Sequence, residues 1–323
     1  MTETDARPGP SAGAWARVSG WVRAVGAWVV RTNRRTPFRV KVALVWVAIF
    51  ALLAFFFWIA QFDNQWMLDN FTYIAKGLQY TLYIALGGIL LAIVLAMLGA
   101  LGRISSNPIA YGISGFYVSF FRGTPLIVQM FLIYLALPQV GINLHDQFPD
   151  LFPQTLANQL VLDAAVAGTL ALGLNYGAYM TEIFRAGIQS VAAGQGEAAD
   201  ALGMTYRQKM RRVVLPQAFR VIIPPTGNEF IAMLKDTALV SFLGVAVANA
   251  EIFRRSQLVG KADFQNLEAL LVAAALYWGL TIVFTFFQRR LESRVSRGYV
   301  RTSDRLAASS EAQAHGGGGG GVG

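Results

Sequence analysis

Residues 195–217 read Gln195-Gly-Glu197-Ala198-Ala199-Asp200-Ala-Leu-Gly203-Met-Thr-Tyr-Arg207-Gln-Lys209-Met-Arg211-Arg212-Val213-Val-Leu215-Pro216-Gln217. It is a polar island, rich in Ala and Gly, between two strongly apolar regions. Ala198, Ala199, Ala201 and Gly203 let a short helix bring its backbone close to a partner surface, and Leu202 and Met204 add apolar contact. Glu197 and Asp200 lie toward the N-terminal end of that helix, where negative charge suits the macrodipole, and the four basic residues from Arg207 to Arg212 follow on the C-terminal side. Pro216 should limit how far the same helix continues. On composition alone this is a charged helix in a loop; as a rigid peg, it could carry the motion of another protein into its surroundings.

Those surroundings read as a bilayer. The chain is 55% hydrophobic and 14% charged, and several of its apolar runs approach the roughly 20 residues that a helix needs to cross. The net charge of +9 then reports topology, because Lys and Arg accumulate in cytoplasmic segments. No basic stripe interleaved with base-stacking aromatics points to nucleic acid. Cys is absent, and His145 and His315 are far apart without ligand-spaced neighbours. Neither a metal site nor a cofactor is expected.

The fold expected is all-α, a polytopic membrane bundle of six transmembrane helices. Residues 1–39 open with Asp, Glu and Pro and carry no apolar stretch followed by a cleavage site, so they do not read as a signal peptide. Within this basic cytoplasmic tail Trp15, Val18, Trp21, Val22, Val25, Trp28 and Val29 share one helical side, and Arg17, Arg23 and Arg31 another. A helix lying on the inner membrane surface fits that pattern; so does a loosely ordered tail. Residues 40–60 form an added first span, 61–76 a short polar connection, and 78–101 a second span with Gly87-Gly88 inside. The third covers 116–137. The segment 138–160 has no Lys or Arg and should face outward, and 161–184 is the fourth span.

The fifth span, 219–247, contains Pro224-Pro225, Asn228, Glu229, Lys235 and Asp236, so hydropathy alone leaves it in doubt. Parity decides it. The sixth, 267–287, runs into Arg289, Arg290, Arg294, Arg297 and Arg301, and that tail shares the cytoplasmic side with the N-terminus only if the count is even. Arg254, Arg255 and Lys261 on an outer loop are then a local violation. The last residues, 293–323, with their Gly run, should be disordered.

Three further stretches bear on function. Arg122-Gly-Thr-Pro125 opens the third span and should kink it; Arg122 either belongs to the substrate path or snorkels from a helix end. Glu182 and Arg185 are three apart on a helix and can form a structural ion pair. Glu229 and Asp236 lie seven apart, so they face roughly the same way, and buried charge there should line a cavity rather than meet lipid. An amino acid, with its ammonium and carboxylate, needs acceptors and donors of this kind, so Asn228, Glu229, Lys235 and Asp236 are candidates for the substrate path together with Arg122. Lys235 and Asp236 could equally be a structural pair.

Glu197-Ala198-Ala199, three residues, Gly203, nine residues, then Val213-x-Leu215-Pro216 resembles the EAA-x3-G-x9-I-x-L-P coupling loop of ATP-binding-cassette (ABC) importer permeases, with Val213 where Ile is usual. Phe121-Arg122-Gly-Thr-Pro125-Leu-Ile-Val-Gln129 and Gly177-Ala-Tyr179-x-x-Glu182-x-x-Arg185 are similar to segments of the polar amino-acid members, as are Gly77-Leu-Gln-Tyr-Thr81-Leu and Asn228 through Thr237, where Ala238 follows in place of the common Ser. The resemblance covers about residues 77–292 and implies a type I importer permease fold, with core 72–292 and coupling loop 190–217. It implies ABC ATPase subunits docked on that loop, a second permease chain, the same or homologous, and an extracytoplasmic solute-binding protein that delivers an amino acid. The chain would sit in a bacterial plasma (inner) membrane with both termini cytoplasmic. It carries no phosphate-binding GxxxxGK[ST] loop, so ATP would be hydrolysed on the separate subunit and the permease would not be an enzyme. An ion-gradient transporter or channel using Glu229, Lys235 and Asp236 would leave the coupling loop unexplained, and a permease for a non-amino-acid solute would share the loop but not the other two motifs.

Overall fold

The computed structural model describes residues 37–295, in two compact units that divide after Asp63. The amphipathic N-terminal stretch and the Gly-rich tail lie outside the described residues. In the first unit, Pro37 precedes a helix, α1 (Phe38–Ala60), that ends where Gln61 turns to a left-handed backbone. It buries no residue, and beyond Arg39 and Lys41 in its first turn its surface is apolar all round. That is what a helix solvated by lipid requires.

The second unit is built of helices joined by turns and short loops, with no strand among its described residues. The expected polar connection at 61–76 is instead largely helix α2 (Asn64–Ala75). Met67, Tyr73 and Ile74 turn one face toward Ile252, Val272 and Ala273, and Ile74 is fully buried. Helix α3 (Gly77–Arg103) follows after one residue. Helix α4 (Pro108–Gly123) starts on an Asn107 cap that accepts from Ile109 and Ala110 N–H.

The third expected span does not exist as one helix. Proline disfavours helical backbone at the residue before it, and Thr124 before Pro125 is extended (φ −119°, ψ 147°). The chain therefore breaks, and α5 (Leu126–Gln147) begins afresh and runs through Pro138 into the stretch assigned to the outer loop. A short α6 (Gln154–Gln159) precedes α7 (Ala164–Gln189), which Asp163 caps by accepting from Ala165 N–H at 2.8 Å.

Helix α7 is the centre of the unit and buries much of its length: Ala167, Gly168, Ala171, Leu172, Met180 and Phe184 are among its buried residues. It lies along α3 in the same direction, with Gly88 against Leu172, Gly177 against Leu95 and Gly99 against Thr181. Small residues on both helices permit this approach. Helix α3 ends at Arg103 beside Glu182, and an ion pair at 3.6 Å joins the two helices there, while α7 continues to Gln189.

After the short helices between residues 193 and 209, α10 (Leu215–Asp236) packs antiparallel on α7. It carries Pro224 and Pro225 without breaking, then tightens to a 3₁₀ turn at Thr237–Leu243 rather than continuing to 247 as one helix. A second 3₁₀ turn (Val247–Asn249) leads to α11 (Ile252–Ala262) and α12 (Asn266–Val295). Among the described residues four helical stretches are long and apolar enough to cross a membrane: α1, α2 with α3, α5 and α12. Helices α7 and α10 have the length but not that composition. Much of α7 faces protein, and α10 carries the fifth-span charges, so neither can be recognised by hydropathy alone.

Of the three basic residues expected on an outer loop, Arg254 and Arg255 are held by local bonding, and Lys261 is exposed. Arg255 is buried, donates from Nε to Ala250 O at 3.0 Å and lies 5.2 Å from the Tyr73 ring. Arg254 Nε donates to Val245 O at 3.3 Å. Between them sits Glu251, 0% exposed, which caps α11 by accepting from Phe253 N–H (2.7 Å) and Arg254 N–H (2.6 Å) and accepts from Tyr277 Oη–H at 2.6 Å. The start of α3 rests directly on this cap: a Cβ at Gly77 would lie 2.5 Å from Ile252 N and 2.6 Å from Glu251 C. Main chain cannot yield there. Gly77→Ala is therefore expected to lose about 1–3 kcal/mol, read as a lower melting temperature and lower monodisperse yield in detergent. Gly112→Ala, with no atom within 4 Å of the new methyl, is the control and should melt like the parent.

Candidate functional site

Two regions gather the residues singled out in the sequence. In the first, α8 (Ala193–Ala201) stops in a turn where Met204 N–H donates to Ala199 O (3.1 Å) and Gly203 N–H to Asp200 O (2.9 Å), with Gly203 left-handed at φ 71°. This pair of hydrogen bonds across the helix end needs the left-handed residue and is usually built on glycine. Nothing lies within 4 Å of a Cβ at Gly203, so backbone conformation alone demands glycine within this chain. Ala199 is buried, whereas Glu197, Ala198 and Leu202 are exposed and Leu202 is 77% open.

Thr205 then starts α9 (Tyr206–Lys209) with a reciprocal cap, its hydroxyl accepting from Gln208 N–H and Gln208 Oε1 accepting from Thr205 N–H. Lys209 Nζ meets Asp200 Oδ2 at 2.8 Å and ties α9 to α8. Pro216 does not end this helix. It has no N–H to offer the carbonyl four residues back, and the chain winds wider before it: residues Met210–Val214 form a π-helical turn in which Leu215 N–H reaches Met210 O. A wide turn of this kind absorbs the missing bond. From Tyr206 to Asp236 the backbone is continuously helical, so Leu215 and Pro216 belong to the first turn of α10.

At the other end of α10, Glu229 and Asp236 line one recess of about 370 Å³ with Thr124, Pro125, Leu126, Asn175, Tyr176 and Tyr179. Asp236 Oδ2 accepts from Tyr176 Oη–H at 2.8 Å. Among the described residues no Lys or Arg lines the recess, so its two carboxylates leave it rich in acceptors. Arg122 is exposed at its rim, its guanidinium 5.2 Å from the Tyr179 ring, a distance within the range of cation–π attraction.

The other two candidates on α10 face elsewhere. Asn228 Oδ1 accepts from Gln288 of α12 at 2.8 Å and does not line the recess. Lys235 is exposed, outside the recess, and forms no ion pair with Asp236. Glu182 and Arg185 meet at 2.7 Å, and Arg185 also donates to Gln189 at 2.7 Å. With Arg103 this makes a junction of α3 and α7 at the end of the unit that leads into α8.

Sequence reasoning missed the frame of the recess. Gln129, 2% exposed, donates to Phe121 O (2.9 Å), Thr124 O (3.0 Å) and Thr124 Oγ1 (2.7 Å), and Asn175 Nδ2 donates to Phe121 O and Gln129 Oε1, both at 3.0 Å. Together they satisfy the carbonyls that the Thr124-Pro125 break exposes, which fixes the recess wall. The available signal was two carboxamides in apolar helices, since such groups in a membrane need partners.

A family model described as "Binding-protein-dependent transport system inner membrane component" matches residues 88–297. The chain is similar to the probable amino-acid ABC transporter permease protein PatM of Vibrio harveyi, 38% identical over 240 residues, which is 74% of this chain and 99% of that protein. It is also similar to the arginine transport system permease protein ArgU of Corynebacterium glutamicum, 38% identical over 279 residues, 83% of this chain and 86% of that one. A solved structure described as an amino acid ABC transporter with histidines superposes with a TM-score of 0.61 at 34% identity, covering 72% of this chain and 98% of its own.

Proposed function

The chain belongs to the family of binding-protein-dependent transport system inner membrane components, and from that membership we propose that it is the permease of an ATP-driven importer for a polar amino acid that carries a cationic side chain. The observation that carries the substrate class is the recess: Glu229 and Asp236 share it with Tyr176 and Tyr179 and, among the described residues, with no cationic side chain. An α-ammonium and a side-chain cation would each find a carboxylate there, and the substrate carboxylate would meet Arg122 at the rim. Charge inside a membrane protein is expensive and marks solute paths. The name of the Corynebacterium relative, an arginine permease, agrees with that reading.

The permease makes and breaks no bonds. Two copies, or this chain with a homologue, would enclose the path. ATPase subunits would grip α8 and the exposed face of Glu197, Ala198 and Leu202. A solute-binding protein would deliver the amino acid at the opposite end, and alternating access would follow from closing and opening of the ATPases. The Arg103–Glu182–Arg185 end and the basic end of α12 would face the cytoplasm, as would both termini.

Uptake of labelled arginine, lysine, histidine, glutamine and leucine into proteoliposomes holding the complete transporter, with and without ATP, tests this. ATP-dependent uptake of the cationic members is expected, falling by about tenfold or more in Glu229→Gln and Asp236→Asn, the loss of a charge-assisted contact. Uptake confined to glutamine or leucine would overturn the cationic assignment. Uptake indifferent to ATP would overturn the importer itself.

A further inference from the structure

Helix α10 loses part of its hydrogen-bond ladder near its middle. Pro224 and Pro225 have no N–H, so the carbonyls of Arg220 and Val221 lack the donors that a regular helix would give them. The Thr226 hydroxyl beside them is buried and finds no partner among the described residues, so it does not make good the loss. Support comes instead from α12. Gln288 Nε2 donates to Asn228 Oδ1 at 2.8 Å, and Pro224 O lies 3.3 Å from the same nitrogen. The stem of Gln288 rests on the glycine between them, where a Cβ at Gly227 would come within 3.0 Å of Cγ and Cδ. Phe230 meets Phe284 edge-on, with ring centroids 5.2 Å apart.

These contacts define one face of α10. At about 100° per residue, Pro224, Gly227, Asn228 and Phe230 fall on the side toward α12, and Glu229 and Asp236 fall on the other. Both sequence neighbours of Glu229 are thus held by α12, while Glu229 itself lines the recess. Any slip of α10 against α12 at this level displaces that carboxylate.

The donor count gives the contact some play. A carboxamide nitrogen carries two hydrogens, and a third acceptor, Glu292 Oε1 on the same helix, lies 2.8 Å from Gln288 Nε2. Two hydrogens cannot make three separate bonds. The amide can therefore trade Pro224 O for Glu292 as the proline pair moves, and still keep hold of Asn228.

We propose that Gln288 is a positioning residue for transport: its amide braces α10 where the proline pair interrupts the ladder, so that motion entering at α8 arrives at Glu229. The proposal rests on the reading of the recess as the amino-acid path. Its test uses the complete transporter in proteoliposomes and reads labelled arginine uptake and ATP hydrolysis together. Gln288→Leu keeps the bulk over Gly227 and loses the donor. Arginine moved per ATP should then fall about fivefold or more, with hydrolysis within about twofold of the parent, as the loss of one hydrogen bond allows. Asn228→Ala removes the partner on α10 and should lower the ratio in the same way. Restoring the ladder in Gln288→Leu by adding Pro224→Ala and Pro225→Ala should bring the ratio back to within about twofold of the parent.

A residue that only holds the fold together behaves differently: uptake, hydrolysis and melting temperature fall in step and the ratio stays constant. That result would overturn the proposal, as would a parent-like ratio in both Gln288→Leu and Asn228→Ala. No recovery in the proline variants would overturn it too, since the brace would then not answer to the interrupted ladder. Parent-like uptake in Glu229→Gln would instead bring down the recess reading, whichever way the ratio moves in Gln288→Leu. If the parent takes up glutamine in place of arginine, the cationic assignment falls and the ratio read with glutamine still decides the role of Gln288.

Discussion

ATP-driven uptake is expected to fall by about tenfold in Gly203→Val and to stay within about threefold in Gly203→Asn. The difference follows from the backbone. Gly203 sits at φ 71° with open space where a side chain would go, so neither substitution collides with the chain. What separates them is the left-handed conformation, which Asn adopts readily and a β-branched residue only at about 1–2 kcal/mol. Val would unwind the stop that joins α8 to α9 and let Asp200 and Lys209 part, and the peg would lose its fixed angle. Uptake in proteoliposomes, with co-purification of the ATPase subunit, decides the matter. Equal loss in both variants would mean that the bulk of any side chain blocks docking. No loss in either would remove the segment from coupling.

The second large effect is expected at Glu251. Removing this carboxylate by Glu251→Ala strands two backbone N–H donors and the Tyr277 hydroxyl in a site with no access to solvent. Buried donors without partners cost about 1–3 kcal/mol each, so the variant should express poorly and melt far below the parent. Glu251→Gln retains an acceptor and should recover most of the loss.

The same site makes a pH prediction. Burial pushes the Glu251 carboxyl up from 4.5 to about 7, against the opposing pull of its hydrogen bonds from Tyr277, Phe253 and Arg254 and of the Arg254 charge. The folded state therefore holds a proton that the unfolded state releases more easily. This contribution is fully present below pH 4.5 and is lost as pH rises through about 7. The parent should melt progressively lower across that window than Glu251→Gln does relative to its own value at low pH. Parallel melting curves for the two would exclude Glu251 as the titrating group.

Much of the fold was legible because lipid makes severe demands on sequence. The apolar runs gave α1, α3 and α12 nearly whole, and the spacing of Glu229 and Asp236 put both on the recess. The failures have local causes. Pro125 was read as a kink but acted through Thr124, whose extended backbone ends one helix and starts another. Pro216 was read as a stop, yet a turn one residue wider absorbs the missing N–H. Asn228 and Lys235 were grouped with Glu229 and Asp236 by proximity in sequence, although a helix sends adjacent residues to different faces. Gln129, Asn175 and Glu251 went unrecognised because their importance lies in carbonyls and N–H groups contributed by other segments. A linear reading has no means of pairing Glu251 with Tyr277, twenty-six positions away.

The unbroken helix from Tyr206 to Asp236 has a mechanical meaning. It begins beside the peg that an ATPase would grip and ends at the carboxylates that an amino acid would touch. The stroke would then need no relay of side chains from one to the other, since the main chain itself would be the drive shaft. Hydrogen bonds run along most of its length, and the ladder departs from the regular pattern at the wide turn Met210–Val214 and at Pro224-Pro225.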